Sequence, residues 1–217
     1  MSNLVIAIDG PAGAGKSTIS KKISKKLGIN YIDTGAMYRA ITYKCLEEKI
    51  DTLDEKKVIE VCEKSDVDFI DNKIYLDGKC INDEIRKQRV SSNVSNVAKV
   101  ARVREIMVKK QREIGQKNDV ILDGRDVGTC IFPDTKYKFY LNASPEERGK
   151  RRYLELKEKG ENVVLGDIIK DIERRDYIDS TRKVAPLTKA EDAIEVDSTN
   201  MSVDEVVDYI VKKVKES

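Results

Sequence analysis

A doubly wound α/β fold, with a parallel sheet covered by helices on both faces, is the architecture this sequence predicts. Three observations carry it. Short apolar runs such as LVIAI at residues 4–8 and VIL at 120–122 show no alternation, as strands buried on both faces should. Stretches with apolar residues every three or four positions lie between them, the period of a helix packed on one side. The two kinds of segment alternate along the chain, which is the signature of βα units.

Residues 4–8 form the first strand. Ile19, Ile23 and Leu27 then recur at a spacing of four and Gly28 follows, a helix with its stop. INYID at 29–33 reads as a second strand, and a helix runs from about residue 36 to 48. The alternation then breaks. Segments 67–70, 73–76 and 79–81 are short strands separated by DN and DG turns, an antiparallel meander inserted into the fold. Helical patterning resumes from about 89 to 115, and DVILDG at 119–124 and YKFYLNA at 137–143 supply two more buried strands. Helices over 144–159 and 163–180, a strand near 193–196 and a helix over 202–215 complete the chain, with no internal repeat.

At 217 residues, 40% of them hydrophobic, the chain is long enough for one domain with a real core. Its 41 basic and 39 acidic residues nearly cancel, so no part is a polyelectrolyte tail, and a nucleic-acid partner is not expected. The distribution is uneven: residues 47–84 carry 6 basic against 13 acidic, residues 85–183 carry 24 against 16, so anionic ligands belong with the later segment. Four cysteines without a C-x-x-C pair, and no histidine, exclude a His-based triad and argue against zinc. Scattered thiols suit a reducing compartment, as small core residues. The N-terminal apolar run is too short for a signal peptide or a membrane span. The expectation is a cytoplasmic chain with no membrane partner.

GPAGAGKS, Gly10 to Ser17, satisfies G-x-x-x-x-G-K-[ST] and sits where the mechanism requires, after a strand and opening a helix. Such a P-loop turns consecutive backbone N–H groups around the phosphates of a nucleoside triphosphate, and the helix N-terminus adds its dipole. Gly10, Pro11, Ala12, Gly13, Ala14, Gly15, Lys16, Ser17 and Thr18 are the ATP-binding candidates. Lys16 reaches the β and γ oxygens, and the Ser17 hydroxyl can ligate Mg²⁺. Asp123 ends the apolar run VIL at a strand's C-terminal edge, where an acid helps hold the metal, directly or through water.

Four stretches, IDGPAGAGKST, YIDTGAMYRA (31–40), DGRDVGT (123–129) and RRDYIDSTRKVAPL (174–187), together resemble the bacterial-type cytidylate kinases, which are P-loop nucleoside monophosphate kinases. The resemblance runs the length of the chain and is far more specific than the P-loop, which many unrelated activities share. It implies a single P-loop NTPase-type domain in three parts. A core covers about 1–33, 116–143 and 184–217, a monophosphate-binding region with the β insertion about 34–115, and a helical lid with its following helix about 144–183. It also implies a monomer that moves the γ-phosphate of MgATP to CMP or dCMP.

The residues suit that chemistry. A phosphate monoester has a second pKa of about 6, so as acceptor it is anionic at neutral pH and needs no general base. It needs positive charge to offset the repulsion between two phosphates. The resemblance assigns Arg39, Arg175 and Arg182 to the acceptor phosphate or to the bridge between acceptor and donor. It puts Arg148 against adenine and Arg151 or Arg152 on the donor phosphates, so that Lys16, Arg152, Arg175 and Arg182 form the catalytic set. The matching positions for the cytosine amine are Ser95 and Asp126, with Arg104 for the ring acceptors and Arg125 nearby. Asp179 with Arg175 takes the sugar hydroxyls, and Thr34 and Tyr38 line the monophosphate pocket. Uracil presents an acceptor where cytosine has its amine, which disfavours UMP by ~1–3 kcal/mol. Thr34 stands where serine is common in the family pattern and keeps the hydroxyl.

Two other readings stay open at this point. One is a kinase for another nucleoside monophosphate or for a hydroxylated metabolite, the latter with Asp33 or Asp126 as base. The other is a nucleotide-switched binding protein, for which the N-K-x-D guanine signature is missing; the nearest string is NKIY at Asn72.

Overall fold

In the computed structural model, which describes residues 3–70, 72–158 and 160–216, the strands are Val5–Asp9 (β1), Asn30–Asp33 (β2), Val67–Ile70 (β3), Lys73–Leu76 (β4), Lys79–Cys80 (β5), Val120–Gly124 (β6), Tyr137–Asn142 (β7) and Ile194–Asp197 (β8). Asp71 of the expected DN turn and Lys159, the expected end of the helix from residue 144, lie outside the described residues. The unalternating runs meet in one parallel sheet of order β2-β6-β1-β7-β8, while β3-β4-β5 form a separate antiparallel sheet. The order reverses at β1, which pairs with β6 on one side and β7 on the other. The P-loop therefore leaves the sheet at its topological switch point, the crevice where open α/β sheets bind ligands.

The helices are Lys16–Leu27 (α1), Thr34–Glu47 (α2), Glu55–Glu63 (α3), Gln88–Ser91 (α4), Val94–Ala98 (α5), Ala101–Gly115 (α6), Pro145–Glu158 (α7), Leu165–Thr181 (α8) and Val203–Lys215 (α9). Helix α1 ends at Gly28, whose N–H bonds the Ser24 carbonyl. A capping box opens α9, with Ser202 and Glu205 each accepting the other's backbone N–H. Ile6, Ile8, Phe139 and Leu141 pack with Ile19, Ile23 and the apolar stripe of α9 on one face of the sheet. Ala7, Ile32, Leu122 and Val127 form the other face. A third cluster, from Ala36 to Met107, joins the meander to the helices between β2 and β6.

Three differences from the sequence reading have local causes. Helix α3 was not expected; Asp54 caps it by accepting the Lys57 N–H at 3.2 Å, and Val58, Val61 and Cys62 face the core. The helix expected over 89–115 is three helices; at the first break Asn93 competes for a backbone group, its Nδ2 donating to the Arg89 carbonyl at 2.8 Å. A π-helical segment, Val127–Ile131, follows β6. Of the cysteines, Cys45 and Cys62 are core residues, whereas Cys130 is half-buried and Cys80 exposed. No helix among the described residues is long and apolar enough to cross a membrane.

Candidate active site

Three adjacent strands carry an aspartate at or one residue before their end, at the same edge of the sheet. In register, Asp33 of β2 lies beside Asp123 of β6, and Asp9 of β1 beside Gly124. All three carboxylates are buried, and each holds a different part of the site. Asp9 accepts the N–H groups of Val127 (2.8 Å) and Gly128 (2.7 Å), fixing the backbone just after Asp126. Burial pushes its pKa up to about 6 against the pull of those two donors. Asp123 accepts from the Ser17 hydroxyl at 2.9 Å and from the Tyr31 hydroxyl at 2.7 Å. Burial, and then Asp33 alongside, raise its pKa. Asp33 caps α2 through the Ala36 N–H and pairs with Arg86 at 2.6 Å and Arg39 at 3.5 Å. Burial pushes Asp33 up, but Arg86 and Arg39 outweigh it and hold the carboxyl at about 2.

The P-loop approaches the sheet so closely that only glycine fits at its start. A Cβ on Gly10, where φ is 150°, would stand 2.0 Å from the Leu141 carbonyl oxygen of β7. Lys16 is buried, with Nζ donating to the Gly10 and Pro11 carbonyls at 2.8 and 2.7 Å. Burial, and then Arg125, lower its pKa well below the ordinary lysine value. Ala12 to Thr18 line a cavity of about 830 Å³; Gly10 and Pro11 are not among its lining residues and serve instead as acceptors for Lys16.

The same cavity runs from the P-loop to the arginine-rich end. Thr34, Tyr38, Arg39, Ser95, Arg104, Asp123, Arg125, Asp126, Arg175, Asp179 and Arg182 all line it. Asp126 sits between two guanidinium groups, bonded by Arg104 through one oxygen and by Arg182 at 3.2 Å through the other. Arg104 is only 2% exposed and stacks over the Tyr38 ring, 5.5 Å from its centroid. Arg125 donates to Asp179 at 2.8 Å. The Thr34 hydroxyl donates to the Asp123 carbonyl at 2.7 Å. Several donors make no hydrogen bond: Arg175 Nε and the Tyr38 hydroxyl are buried without one, and Arg39 NH1 has only its long ion pair with Asp33 at 3.5 Å. Burial, and then Arg125 and Arg39, push Arg175 down to about 10. Converging arginines with unused hydrogen-bonding capacity have the chemistry to hold an anion.

The lid arginines divide. Arg151 and Arg152 line the cavity, Arg151 donating to the Ser198 hydroxyl and carbonyl at 3.1 and 2.7 Å, Arg152 to Glu155 at 2.8 Å and Gln88 at 3.3 Å. Arg148 is different. It is 4% exposed and does not line the cavity, because its guanidinium is spent on the Ala143 and Ala12 carbonyls and on Asp176. In this arrangement its guanidinium faces the P-loop and α8 and not the cavity, whereas the resemblance puts it against adenine. The wall beside Arg151 is made instead by Thr199, Met201, Ser202 and Val203, which the sequence reading left out. Arg86, Tyr31 and Asp9 were also missed. Tyr31 and Asp9 lay inside quoted motifs, so their place at strand ends was a usable signal; Arg86 had none, since a 3-10 turn after the meander brings it in.

Known proteins bear on this geometry. The family model for cytidylate kinase matches residues 6–216. A cytidylate kinase of Clostridioides difficile (strain 630) is 63% identical over 214 residues, covering 99% of each chain. One of Bacillus subtilis (strain 168) is 48% identical over 217 residues, covering 98% of this chain and 97% of the relative. Among solved structures, a gluconokinase from Sinorhizobium meliloti 1021 superposes with a TM-score of 0.51 at 11% identity, covering 99% of this chain and 93% of that one, a likeness of fold alone. With a P-loop at the switch point, an arginine-lined cavity beside it and relatives matched from end to end, this chain belongs to the cytidylate kinase family.

Proposed function

We propose that this chain transfers the γ-phosphate of ATP to CMP or dCMP, giving ADP and CDP or dCDP. The observation that carries the reading is the buried carboxylate of Asp126, held between Arg104 and Arg182 at the far end of the cavity that begins at the P-loop. An acceptor oxygen there can face the cytosine amine while Arg104 faces the ring acceptors, and Ser95 adds a hydroxyl. Arg39 and Arg175, with Arg125 nearby, receive the acceptor phosphate, and the free hydrogen-bonding capacity of Arg39 NH1 and Arg175 Nε is where its oxygens bind. Asp179 lies beside Arg175 for the sugar.

On the donor side, the P-loop N–H groups cradle the triphosphate, Lys16 exchanges its loop carbonyls for the β and γ oxygens, and adenosine lies along Arg151 and residues 199–203. The Ser17 hydroxyl and Asp123 carboxylate, 2.9 Å apart, are hard oxygen donors on one spot, and Tyr31 holds the second carboxylate oxygen. That set suits Mg²⁺, which takes few protein ligands and completes its shell with water and phosphate. Bound there, Mg²⁺ would neutralise charge on the transferring group. Arg152 and Arg182 add positive charge as the phosphoryl group crosses between the nucleotides. A hydroxyl acceptor would need a base, and Asp33, held at about 2 by its arginines, is a poor one.

The division into core, monophosphate-binding region and lid follows the same reading, supported by the separate apolar cluster between Ala36 and Met107. The chain acts as a monomer in the cytoplasm. The test is steady-state ADP production with MgATP and each nucleoside monophosphate, against a blank without acceptor. Fast turnover with CMP and dCMP and little with UMP, AMP or GMP is expected; equal rates in the blank would sink the reading.

A further inference from the structure

We infer that Asp176 and Arg148 form a positioning pair that clamps the root of the helical lid to the P-loop, so that the transferred phosphoryl group goes to the nucleotide and not to water. The inference rests on the phosphotransfer reading above. Asp176 belongs to the RRDYIDSTRK stretch, and neither it nor the buried Arg148 lines the cavity.

One P-loop residue, Ala12, is held from three sides. Its N–H donates to Asp176 Oδ1 at 2.9 Å, and its carbonyl accepts from Arg148 NH1 at 2.7 Å. The same arginine nitrogen donates to Asp176 Oδ2 at 2.5 Å, closing a ring of three hydrogen bonds, while Arg148 Nε donates to the Ala143 carbonyl just beyond β7 at 2.9 Å. The Ala12 methyl is packed with Leu156 of α7 and with Ile168 and Ile172 of α8, so it belongs to the lid's own apolar cluster. The next residue is as tightly placed: a Cβ on Gly13 would meet the Arg148 Cβ at 3.1 Å and its carbonyl at 3.2 Å. The P-loop's outer turn is thus part of the α7–α8 core.

The consequence lies in what α8 carries. Arg175 precedes Asp176, and Asp179 is almost one turn on. A helix is stiff over that distance, so anchoring Asp176 to Ala12 sets where the Arg175 guanidinium stands relative to the triphosphate. Displacements of about 1 Å at such a site cost roughly 100-fold in rate. A slack clamp also opens the lid. Water then competes: its oxygen bonds to the γ-phosphorus as the bond to the β–γ bridging oxygen breaks, leaving ADP and inorganic phosphate, with the proton passing to solvent.

The test compares the wild-type chain, Asp176→Asn, Arg148→Lys and the double variant, with MgATP and CMP, quantifying ADP, CDP and inorganic phosphate together. Each single variant is expected to lose roughly 10- to 100-fold in kcat for CDP, with the KM for CMP within about twofold of wild type. Inorganic phosphate should account for a rising share of the ADP, and the double variant should be little worse than either single one. A lower melting temperature with kcat per folded molecule unchanged and one CDP per ADP would reduce the pair to a structural staple and overturn the inference. If Asp176→Asn does not fold, Arg148→Lys, which keeps the charge and loses the planar fork, decides by the same product ratio. A wild-type chain that makes ADP without CDP defeats the phosphotransfer reading itself, an outcome separate from any result with the variants.

Discussion

The two ends of the cavity are built in opposite ways. At the donor end the cradle is backbone, drawn from consecutive residues of the P-loop, and its lysine rests on two carbonyls of that same loop. At the arginine-rich end, where the acceptor is proposed to bind, the lining is side chains from separate elements, and most of their charges are already paired: Arg104 and Arg182 on Asp126, Arg125 on Asp179, Arg86 on Asp33. A backbone cradle fits any triphosphate, so it supplies phosphate binding without choosing an acceptor. A network of buried ion pairs costs desolvation, but a wrong base leaves one of its members without a partner, and that is a source of selectivity.

The sharpest way to break this contrast is Asp126→Ala. Arg104 and Arg182 would then lie buried without their counter-ion, and the chain should lose about 3–5 kcal/mol of stability in denaturant unfolding, together with its preference for CMP over UMP. Lys16→Met should do the reverse. Charge at that position is disfavoured by burial, so the melting temperature should hold or rise while kcat falls roughly 10²- to 10³-fold. An undiminished kcat would remove the lysine from the transfer step.

The strand-end carboxylates sharpen the comparison through pH. Asp9, with a folded-state pKa of about 6 against 3.8, stays protonated in the folded chain while the unfolded chain ionises. It therefore costs stability progressively as pH rises from about 4 to about 6, by about 3 kcal/mol, and nothing further above that. Asp33, depressed to about 2, acts in the other sense: its contribution is present above about 4 and is lost as pH falls towards 2. Asp9→Asn should thus gain stability relative to wild type between pH 4 and 6 in urea unfolding, then run parallel; a constant difference across that window would contradict the assignment. The smallest effect expected is that of Tyr31→Phe. Losing the hydroxyl that holds Asp123 should cost about 1 kcal/mol of stability and raise the Mg²⁺ concentration for half-maximal rate about tenfold.

The contrast also explains what could be read beforehand. The P-loop was legible because its function lies in contiguous glycines, a lysine and a serine. The antiparallel meander was legible from its turns and short apolar segments. Helix α3 escaped although Asp54 and the spacing of Val58, Val61 and Cys62 announce it. Arg148 was placed on the correct helix, yet its direction depends on Asp176 and the Ala12 carbonyl, which no spacing in the sequence reveals.

By itself the sequence determined a phosphate-binding loop between a buried strand and a helix, an alternating α/β order, and a histidine-free chemistry dependent on arginines. Local pattern suffices there, because helix and strand periods and the glycines of a turn are properties of neighbouring residues. Only the tertiary structure decided which charge meets which. Pairings such as Arg104 with Asp126, Arg86 with Asp33 and Arg148 with Asp176 join residues 22, 53 and 28 positions apart. Such partners are selected by the crossing of strands and helices and by the cost of leaving a buried charge alone, which operate on the folded chain and not along it.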